Sequence, residues 1–146
     1  MDSNNIFFSN STTEEEDVTH TLPFKVIGVA HTLETQLHLE RCFNKMKTLG
    51  EVNVRISPEP NNEKDKNAIS VQVDYGLNGW HHVGYIASEL TDYVTEALLA
   101  GELLECRIEH IRFRVTWLRP GFYMKLLLTK KKAWHNRVIQ TSHSVQ

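Results

Sequence analysis

Four polar residues that commonly form turns lie close together near the middle of the chain, at Asn61, Asn62, Asp65 and Asn67. Each can hydrogen-bond to nearby backbone groups and tolerates left-handed backbone conformations, so a loop that contains them can hold one shape. The two prolines just before them, in the run Ser-Pro-Glu-Pro, restrict the backbone and make the chain enter the loop stiffly. A rigid polar loop between two strands is a suitable place for a ligand.

Carboxylates and imidazoles near this loop are the candidates for metal binding. Asp65 with Glu59 or Glu63 would form a carboxylate pair, but loops of this composition are usually turn formers, and we expect neither a metal nor a cofactor. His81 and His82 are adjacent in a predicted strand and should point to opposite faces, so they could not hold one ion together.

Two motifs that would indicate catalysis are absent from the sequence. No serine lies in a Gly-x-Ser-x-Gly turn, and no Gly-x-x-x-x-Gly-Lys loop is present to bind nucleotide phosphates. The sequence therefore encodes no ATPase motor. We expect a binding protein that is not an enzyme and has no small-molecule substrate.

Charge is distributed unevenly along the chain. The first 21 residues contain five acids and no lysine or arginine, whereas residues 107–146 contain nine lysines and arginines and one acid, Glu109. A basic segment of this kind is the electrostatic footprint of a protein that binds an anionic partner, nucleic acid first among them. The alternative is that these charges are the solvated face of a sheet.

Size and composition predict one globular domain. The chain has 146 residues, of which 40% are hydrophobic and 23% charged. No apolar run approaches the roughly 20 residues that span a bilayer, and the acidic N-terminus does not resemble a secretion signal. Cys42 and Cys106 are too few for a disulfide framework, which fits a reducing compartment. We therefore expect no membrane partner and an intracellular location. We also expect that this location is the nucleus.

Hydrophobic periodicity predicts about six strands and two helices. Alternating apolar residues indicate strands at residues 22–30, 51–57, 68–74, 80–86, 102–114 and 122–129. Apolar residues at helical spacing predict a helix at residues 33–49 that ends before Gly50. A second helix is predicted to begin at a Ser88 cap and to end at Gly101.

The alternation in the fifth predicted strand slips near His110, which indicates a bulge or bend of the kind that closes small barrels. Polar composition predicts a disordered acidic leader at residues 1–21 and a disordered tail at residues 133–146, which leaves a folded domain at residues 22–132. The predicted fold is mainly β with two helices (α+β), a small six-stranded barrel that is OB-like or SH3-like. Such barrels bind single strands by stacking bases on aromatic side chains in a positive groove.

A pair of motifs links the loop to a later strand. Residues 59–69 read Glu-Pro-x-Asn-x-x-Asp-x-Asn-Ala-Ile, and residues 83–86 read Val-Gly-Tyr-Ile. Together they resemble the HIRAN domain, a small β-barrel module found at the front of some Snf2-type DNA-remodelling helicases and also as a free-standing protein. The resemblance extends over roughly residues 22–132.

This resemblance implies a site for single-stranded DNA, or for a DNA 3′ end, between the first-strand end, the loop, the Gly-Tyr-Ile strand and an aromatic residue on the last strand. It implies that Asp65 accepts a hydrogen bond from a 3′-hydroxyl and repels a terminal phosphate. Asp65 could instead be only a turn former, and Phe122 only a core residue. The expected nucleic-acid-binding residues are His31, Asn62, Lys64, Asp65, Asn67, Tyr85, Phe122 and Lys125.

Two departures from the family pattern keep other partners open. Relatives often have Pro-Tyr before the aspartate, where this chain has Glu63 and Lys64, and a basic and an aromatic residue where it has Ala30 and His31. Losing one stacked base costs about 1–3 kcal/mol. The alternative ligand is RNA, and the alternative function is that of a degenerate HIRAN domain acting as a protein-interaction module.

Overall fold

The chain alternates between strands and two helices in the order that its hydrophobic periods predict. The computed structural model describes residues 20–29, 32–115 and 120–131. Its elements are β1 (His20–Lys25), α1 (Leu33–Lys47), β2 (Asn53–Pro58), β3 (Ile69–Asp74), β4 (His81–Tyr85), α2 (Ser88–Leu99), β5 (Leu103–Arg114) and β6 (Gly121–Lys131). The prediction of a mainly β chain with six strands and two helices is confirmed.

The strands form two antiparallel sheets of three strands each, in the orders β1-β6-β5 and β2-β3-β4. The sheets meet where the chain leaves β1. There the Val26 N–H donates to the carbonyl of Met124 at 3.1 Å, and Ile27 and Tyr85 exchange two backbone hydrogen bonds of 3.0 and 2.9 Å. Because this single bridge is the link, the described strands do not form a closed ladder, and the predicted six-stranded barrel is not confirmed.

Gly84 allows the two sheets to approach each other at this junction. A Cβ atom at this position would lie 2.5 Å from Cγ1 of Val26 and 2.6 Å from the carbonyl oxygen of Ile27. Real side chains do not tolerate such distances, so only glycine fits. The glycine of the Val-Gly-Tyr-Ile motif is therefore a packing requirement that brings the end of β1 against β4.

Both sheets and both helices share one hydrophobic core. Val71 of β3, Leu126 of β6, Leu39 of α1 and Val94 of α2 have no exposed surface. Truncating a buried leucine to alanine typically costs 2–5 kcal/mol, so this core holds the surrounding loops on a rigid frame.

α1 begins as predicted and ends earlier. Thr32 caps its start by accepting a hydrogen bond at Oγ1 from the Thr35 N–H at 3.1 Å. Leu49, and not Gly50, takes the left-handed conformation after the helix, with φ at 62°. Gly50 is required for space instead, because a Cβ there would lie 2.5 Å from Cγ of Lys45.

α2 ends as predicted at Gly101, which has φ at 75°, but Ser88 is not its cap. The cap residue is Ala87, which makes no side-chain cap hydrogen bond, and Ser88 is the first helical residue. The prediction failed because backbone pairing with β3 continues to Ile86, which leaves one residue between strand and helix.

β5 contains the predicted irregularity. Its pairing with β6 shifts between Ile108 and His110. After the shift Ile111 faces the core and is 6% exposed. Phe113, near the end of the strand, is 53% exposed and packs edge-on against Phe122.

Most of the predicted leader, residues 1–19, and the predicted tail, residues 133–146, lie outside the described residues. The last two residues of the predicted leader begin β1. Neither described helix is long and apolar enough to cross a membrane.

Candidate functional site

Glu59 fastens the loop between β2 and β3 to strand β4. Its Oε1 accepts hydrogen bonds from Asn62 Nδ2 at 3.0 Å and from the Tyr85 hydroxyl at 3.2 Å. Its backbone N–H donates to the Ala68 carbonyl at 2.9 Å and closes the base of the loop. Hydrogen bonds to a charged acceptor are worth about 1.5–3 kcal/mol each, so Glu59 fixes the position of the loop relative to Tyr85.

Two successive turns stabilised by side chains build the tip of this loop. Asn62 Oδ1 accepts from the backbone N–H groups of Lys64 at 2.9 Å and Asp65 at 3.0 Å. Asp65 Oδ1 accepts from the Asn67 N–H at 2.9 Å. Asp65 Oδ2 has no hydrogen-bond partner among the described residues. Asp65 is therefore a turn former that still presents one carboxylate oxygen.

An open cleft of about 800 Å³ lies beside this loop, and we call it the hairpin cleft. Its size is in the range of small-ligand sites. His31 lies between two of the lining segments in sequence but, like Ala30, is outside the described residues. The lining residues are Asn62, Lys64, Asp65 and Ala68 on the hairpin, Trp80, His81, His82, Tyr85 and Ile86 along β4, Ile27 and Gly28 after β1, and Thr32, Glu34, Thr35, His38 and Ser88 on the helices.

The hairpin cleft is close to balanced in charge. Among the described residues that line it, Lys64 is the one lysine or arginine, and Glu34 and Asp65 are acidic. Three histidines add charge only when they are protonated. The site therefore has more hydrogen-bonding groups than positive charge, unlike the basic groove that the sequence predicted.

A stack of rings behind the cleft fixes two of these histidines. The ring centroids of His38 and His81 are 4.1 Å apart, and His38 Nδ1 lies 2.8 Å from the Tyr75 hydroxyl. Arg41 Nη1 also donates to this hydroxyl at 3.2 Å, and His38 Nε2 lies 3.8 Å from Glu34 Oε2. Burial, and then the charge of His81, lowers the pKa of His38.

His82 and Tyr85 form the wall of the cleft nearest to Glu59. His82 Nδ1 lies 2.8 Å from Ser70 Oγ, and the His82 ring packs edge-on against Tyr85 with centroids 4.7 Å apart. Burial lowers the pKa of His82, and burial followed by the charge of Glu59 raises the pKa of Tyr85. His81 and His82 thus contact different partners, yet both border the cleft.

Trp80 gives the cleft an aromatic surface that is 38% exposed. The guanidinium carbon of Arg55 lies 4.3 Å from the centroid of the ring, and Arg55 Nε donates to Gln72 Oε1 at 2.7 Å. The indole is therefore held from one side by an anchored cation while part of it faces the cleft.

Phe122 does not border the hairpin cleft. Its ring centroid lies 5.2 Å from that of Phe43 and 5.0 Å from that of Phe113. Its N–H donates to Gln36 Oε1 at 2.7 Å, and its carbonyl accepts from Gln36 Nε2 at 2.9 Å. The structure thus places Phe122 in a half-buried cluster between α1 and β5, which is the packing role that the sequence left open.

Lys125 lies on a second surface, the outer side of the β1-β6-β5 sheet. Strand pairing places Lys25 and His110 directly on either side of it. A depression of about 440 Å³ is present there, and Glu109 is the one acid among its described lining residues. We call the following set the basic face: Lys25, His110, Arg112, Arg114, Tyr123 and Lys125.

The structure brings together Asn62, Lys64, Asp65 and Tyr85 of the predicted site. Asn67 supports the loop through its N–H but does not line the cleft. Residues that the sequence did not single out as part of the site are Glu59 as an anchor, His38, His82 and Trp80. The spacing of three residues between Glu59 and Asn62 in the motif could have indicated the anchor, whereas Trp80 has no local signal.

The described residues contain no clustered metal ligands, and their two thiols are desolvated. No group of three or more His, Cys, Asp or Glu side chains in that part of the chain is arranged to hold a metal ion. Burial raises the pKa of both Cys42 and Cys106 to about 12, so both thiols are protonated and unreactive at neutral pH.

Comparison with known protein families gives a match to the HIRAN domain over residues 25–119. This segment is more than half of the chain, and it runs from the last residue of β1 through β5, so it includes the hairpin cleft. β6, which carries Phe122 and Lys125, follows the end of the match. No curated protein and no solved structure matched the chain.

Proposed function

The chain belongs to the HIRAN domain family of nucleic-acid-binding modules, and we propose that it binds the free 3′ end of single-stranded DNA in the hairpin cleft. One observation carries the proposal. Asp65 is fixed through Oδ1 while Oδ2 has no partner among the described residues, and it lines the same cleft as Tyr85.

A carboxylate oxygen held in this way suits a terminal hydroxyl. It accepts a hydrogen bond from the 3′-hydroxyl, and its charge repels a terminal phosphate. The chain through Glu59 and Asn62 holds Asp65 before the ligand arrives, so binding does not have to order the loop.

Aromatic side chains and one lysine complete the proposed site. Trp80 and Tyr85 border the cleft and provide rings for the terminal bases, in place of the tyrosine that relatives carry where this chain has Lys64. Lys64 is the cation within the cleft that can contact a phosphate.

The proposal includes no catalysis. His82 is hydrogen-bonded to Ser70, but Ser70 is fully buried and cannot reach a substrate. We also propose a nuclear location, which imaging of the tagged full-length chain tests.

Titration with two labelled oligonucleotides tests end recognition. Strands of one sequence, ending in a 3′-hydroxyl or a 3′-phosphate, are compared at two salt concentrations. We expect the free hydroxyl to bind about tenfold more tightly or better, the value of one hydrogen bond to a charged group. Equal binding of both strands would contradict the proposal, and an RNA strand of the same sequence shows whether the sugar is distinguished.

The near balance of charge in the cleft favours a second candidate, a protein-interaction module. Glu34 and Asp65 oppose the single Lys64 in the described lining, a composition that also suits a mixed-charge peptide. Recovery of one specific protein partner after nuclease treatment, with no end preference in the titration, would support this candidate instead.

A further inference from the structure

The basic face has a row of basic side chains, and its two adjacent lysines are like charges that the fold itself does not neutralise. Lys25 and Lys125 are direct partners in the β1–β6 ladder. His110 is the partner of Lys125 in β5, but desolvation and the charge of Arg112 lower its pKa, so it adds no charge at neutral pH. Directly opposed residues project from the same face of a sheet, and like charges in such positions are destabilising. An anion that crosses this row would relieve the repulsion.

None of the cations on the face is paired with an acid among the described residues. Lys25, Arg112, Arg114 and Lys125 make no ion pair in that part of the chain, although Glu109 is nearby. By contrast, Lys130 near the end of β6 pairs with Glu102 at 3.4 Å. The four cations therefore remain available to an external ligand.

Tyr123 positions two of these cations. Lys25 Nζ lies 5.7 Å from the centroid of the Tyr123 ring, and the guanidinium carbon of Arg114 lies 5.9 Å from it. Cations held near an aromatic ring lose some of their freedom before a ligand binds, which lowers the entropy cost of binding.

The segment after β1 connects the basic face to the hairpin cleft. Phe24 and Val26 point into the core, whereas Lys25 and Ile27 are exposed on the other side. Lys25 belongs to the basic face and Ile27 lines the cleft. Two residues of extended chain span about 7 Å. A DNA strand that leaves the cleft at Ile27 therefore reaches Lys25 of the basic face within about that distance.

We propose that the basic face is a second contact surface, which binds the sugar–phosphate backbone of the strand whose 3′ end occupies the hairpin cleft. This inference rests on the proposed function and adds a requirement for length. The cleft selects the end of the strand, and the face adds affinity to strands long enough to cover both surfaces. Contacts to phosphate carry no sequence information, so the added affinity is independent of base sequence.

Titration of the full chain with two strand lengths tests this inference. The short strand is a dinucleotide, which is confined to the cleft. The long strand has about 16 nucleotides, the upper end of the range for single-domain sites, and can cover both surfaces. We expect the longer strand to bind about tenfold more tightly, with a steeper loss of affinity as salt rises. Equal affinity at the two lengths would overturn the proposal.

Variants localise the effect of length. Lys125→Gln should weaken binding of the long strand several-fold, reduce its salt slope by about 0.7 and leave the short strand unchanged. Lys25→Gln/Lys125→Gln should enlarge the loss. The matched control is Lys47→Gln, which removes one exposed charge from α1 and should change neither strand. An equal loss in Lys125→Gln and Lys47→Gln would overturn the assignment to this face.

The same titration separates failure of this inference from failure of end recognition. If the short strand prefers a free 3′-hydroxyl but Lys125→Gln has no effect on the long strand, the basic face is overturned and the cleft stands. If Lys125→Gln weakens binding of the long strand but strands of neither length bind better with a free 3′-hydroxyl, end recognition is overturned. The proposed path of the DNA strand from the cleft to the basic face is then overturned as well.

Discussion

The hairpin cleft and the basic face differ in how their polar groups are partnered. In the cleft, Glu59, Asn62 and Asp65 form a chain of hydrogen bonds, and the charges nearly balance. On the face, Lys25 and Lys125 lie side by side without an ion pair among the described residues.

The two surfaces would therefore contribute differently to binding. The cleft would select the strand end, and the face would supply electrostatic attraction. Hydrogen bonds of fixed geometry distinguish one chemical end from another, whereas unpaired cations attract any phosphate backbone in a salt-dependent way. A module with both would find nucleic acid through the face and choose the end through the cleft. The predictions below separate the two surfaces, starting with the change that should affect both.

Gly84→Ala should disturb both surfaces, because Gly84 lies where the two sheets meet. The added methyl group would be 2.5 Å from Val26 Cγ1 and 2.6 Å from the Ile27 carbonyl oxygen, and backbone cannot move away cheaply. We expect a loss of about 3 kcal/mol in the free energy of unfolding, measured by denaturant titration. A loss within the roughly 0.5 kcal/mol of a neutral surface substitution would contradict the close packing of the junction.

Glu59→Ala should affect the cleft alone. It removes the acceptor shared by Asn62 and Tyr85, so we expect a loss of about 2 kcal/mol in unfolding free energy and loss of end preference. Salt-dependent binding of long strands through Lys125 should persist. The control is Glu59→Gln, whose amide oxygen can accept the same two hydrogen bonds, and an equally large loss in that variant would contradict the anchoring role.

Trp80→Ala should weaken binding of short strands by about fivefold, the value of one stacked base at the low end of its range. Trp80→Phe keeps a ring and should retain most of the affinity. Unfolding free energy, measured in parallel, should change little because the indole is partly exposed. Identical affinities for the alanine and phenylalanine variants would show that the ring does not stack on a base.

Acid pH should destabilise the cleft through His38 and His82, whose imidazoles are desolvated in the folded chain. The pKa values of His38 and His82 are lowered in the folded protein, mainly by burial, so below about pH 6.5 the unfolded chain binds protons that the folded chain does not. Stability is therefore full above that pH and declines as pH falls toward the lowered values. Tm should fall over this window.

The matched variant for this pH effect is His38→Asn, which keeps an acceptor for the Tyr75 hydroxyl but does not titrate. Its Tm should fall less than that of the unaltered chain over the same pH range. A Tm that rises on acidification, or an equal fall in the variant, would contradict the assignment.

Local sequence patterns predicted the β2–β3 hairpin correctly. They could not predict which elements that are distant in sequence contact each other. The strands around the loop, the helix stop at Gly101 and the slip near His110 all follow from spacing within one segment. Phe122 was expected beside Asp65, but its position depends on how α1 packs against β5, which no local period encodes. Barrel closure likewise depends on how the two sheets meet at Gly84.

The prediction that Ser88 caps α2 was wrong for a similar reason, because the cap position is set by the neighbouring strand. Serine is a good cap residue, but pairing with β3 continues to Ile86, so the cap position falls on Ala87 and Ser88 is already helical. Trp80 is a residue of the cleft that the sequence did not predict. Its position in the cleft depends on Arg55 of β2, so no pattern around residue 80 could reveal it.

The most direct test of the central claim measures end preference in Asp65→Asn. Asparagine can keep the hydrogen bond from the Asn67 N–H but replaces the charged Oδ2 with an amide donor. The control is Glu63→Gln, which removes the same charge from the same loop. We predict that Asp65→Asn loses most of the preference for a 3′-hydroxyl over a 3′-phosphate and that Glu63→Gln retains it. A full preference in Asp65→Asn would contradict recognition of the strand end by Asp65.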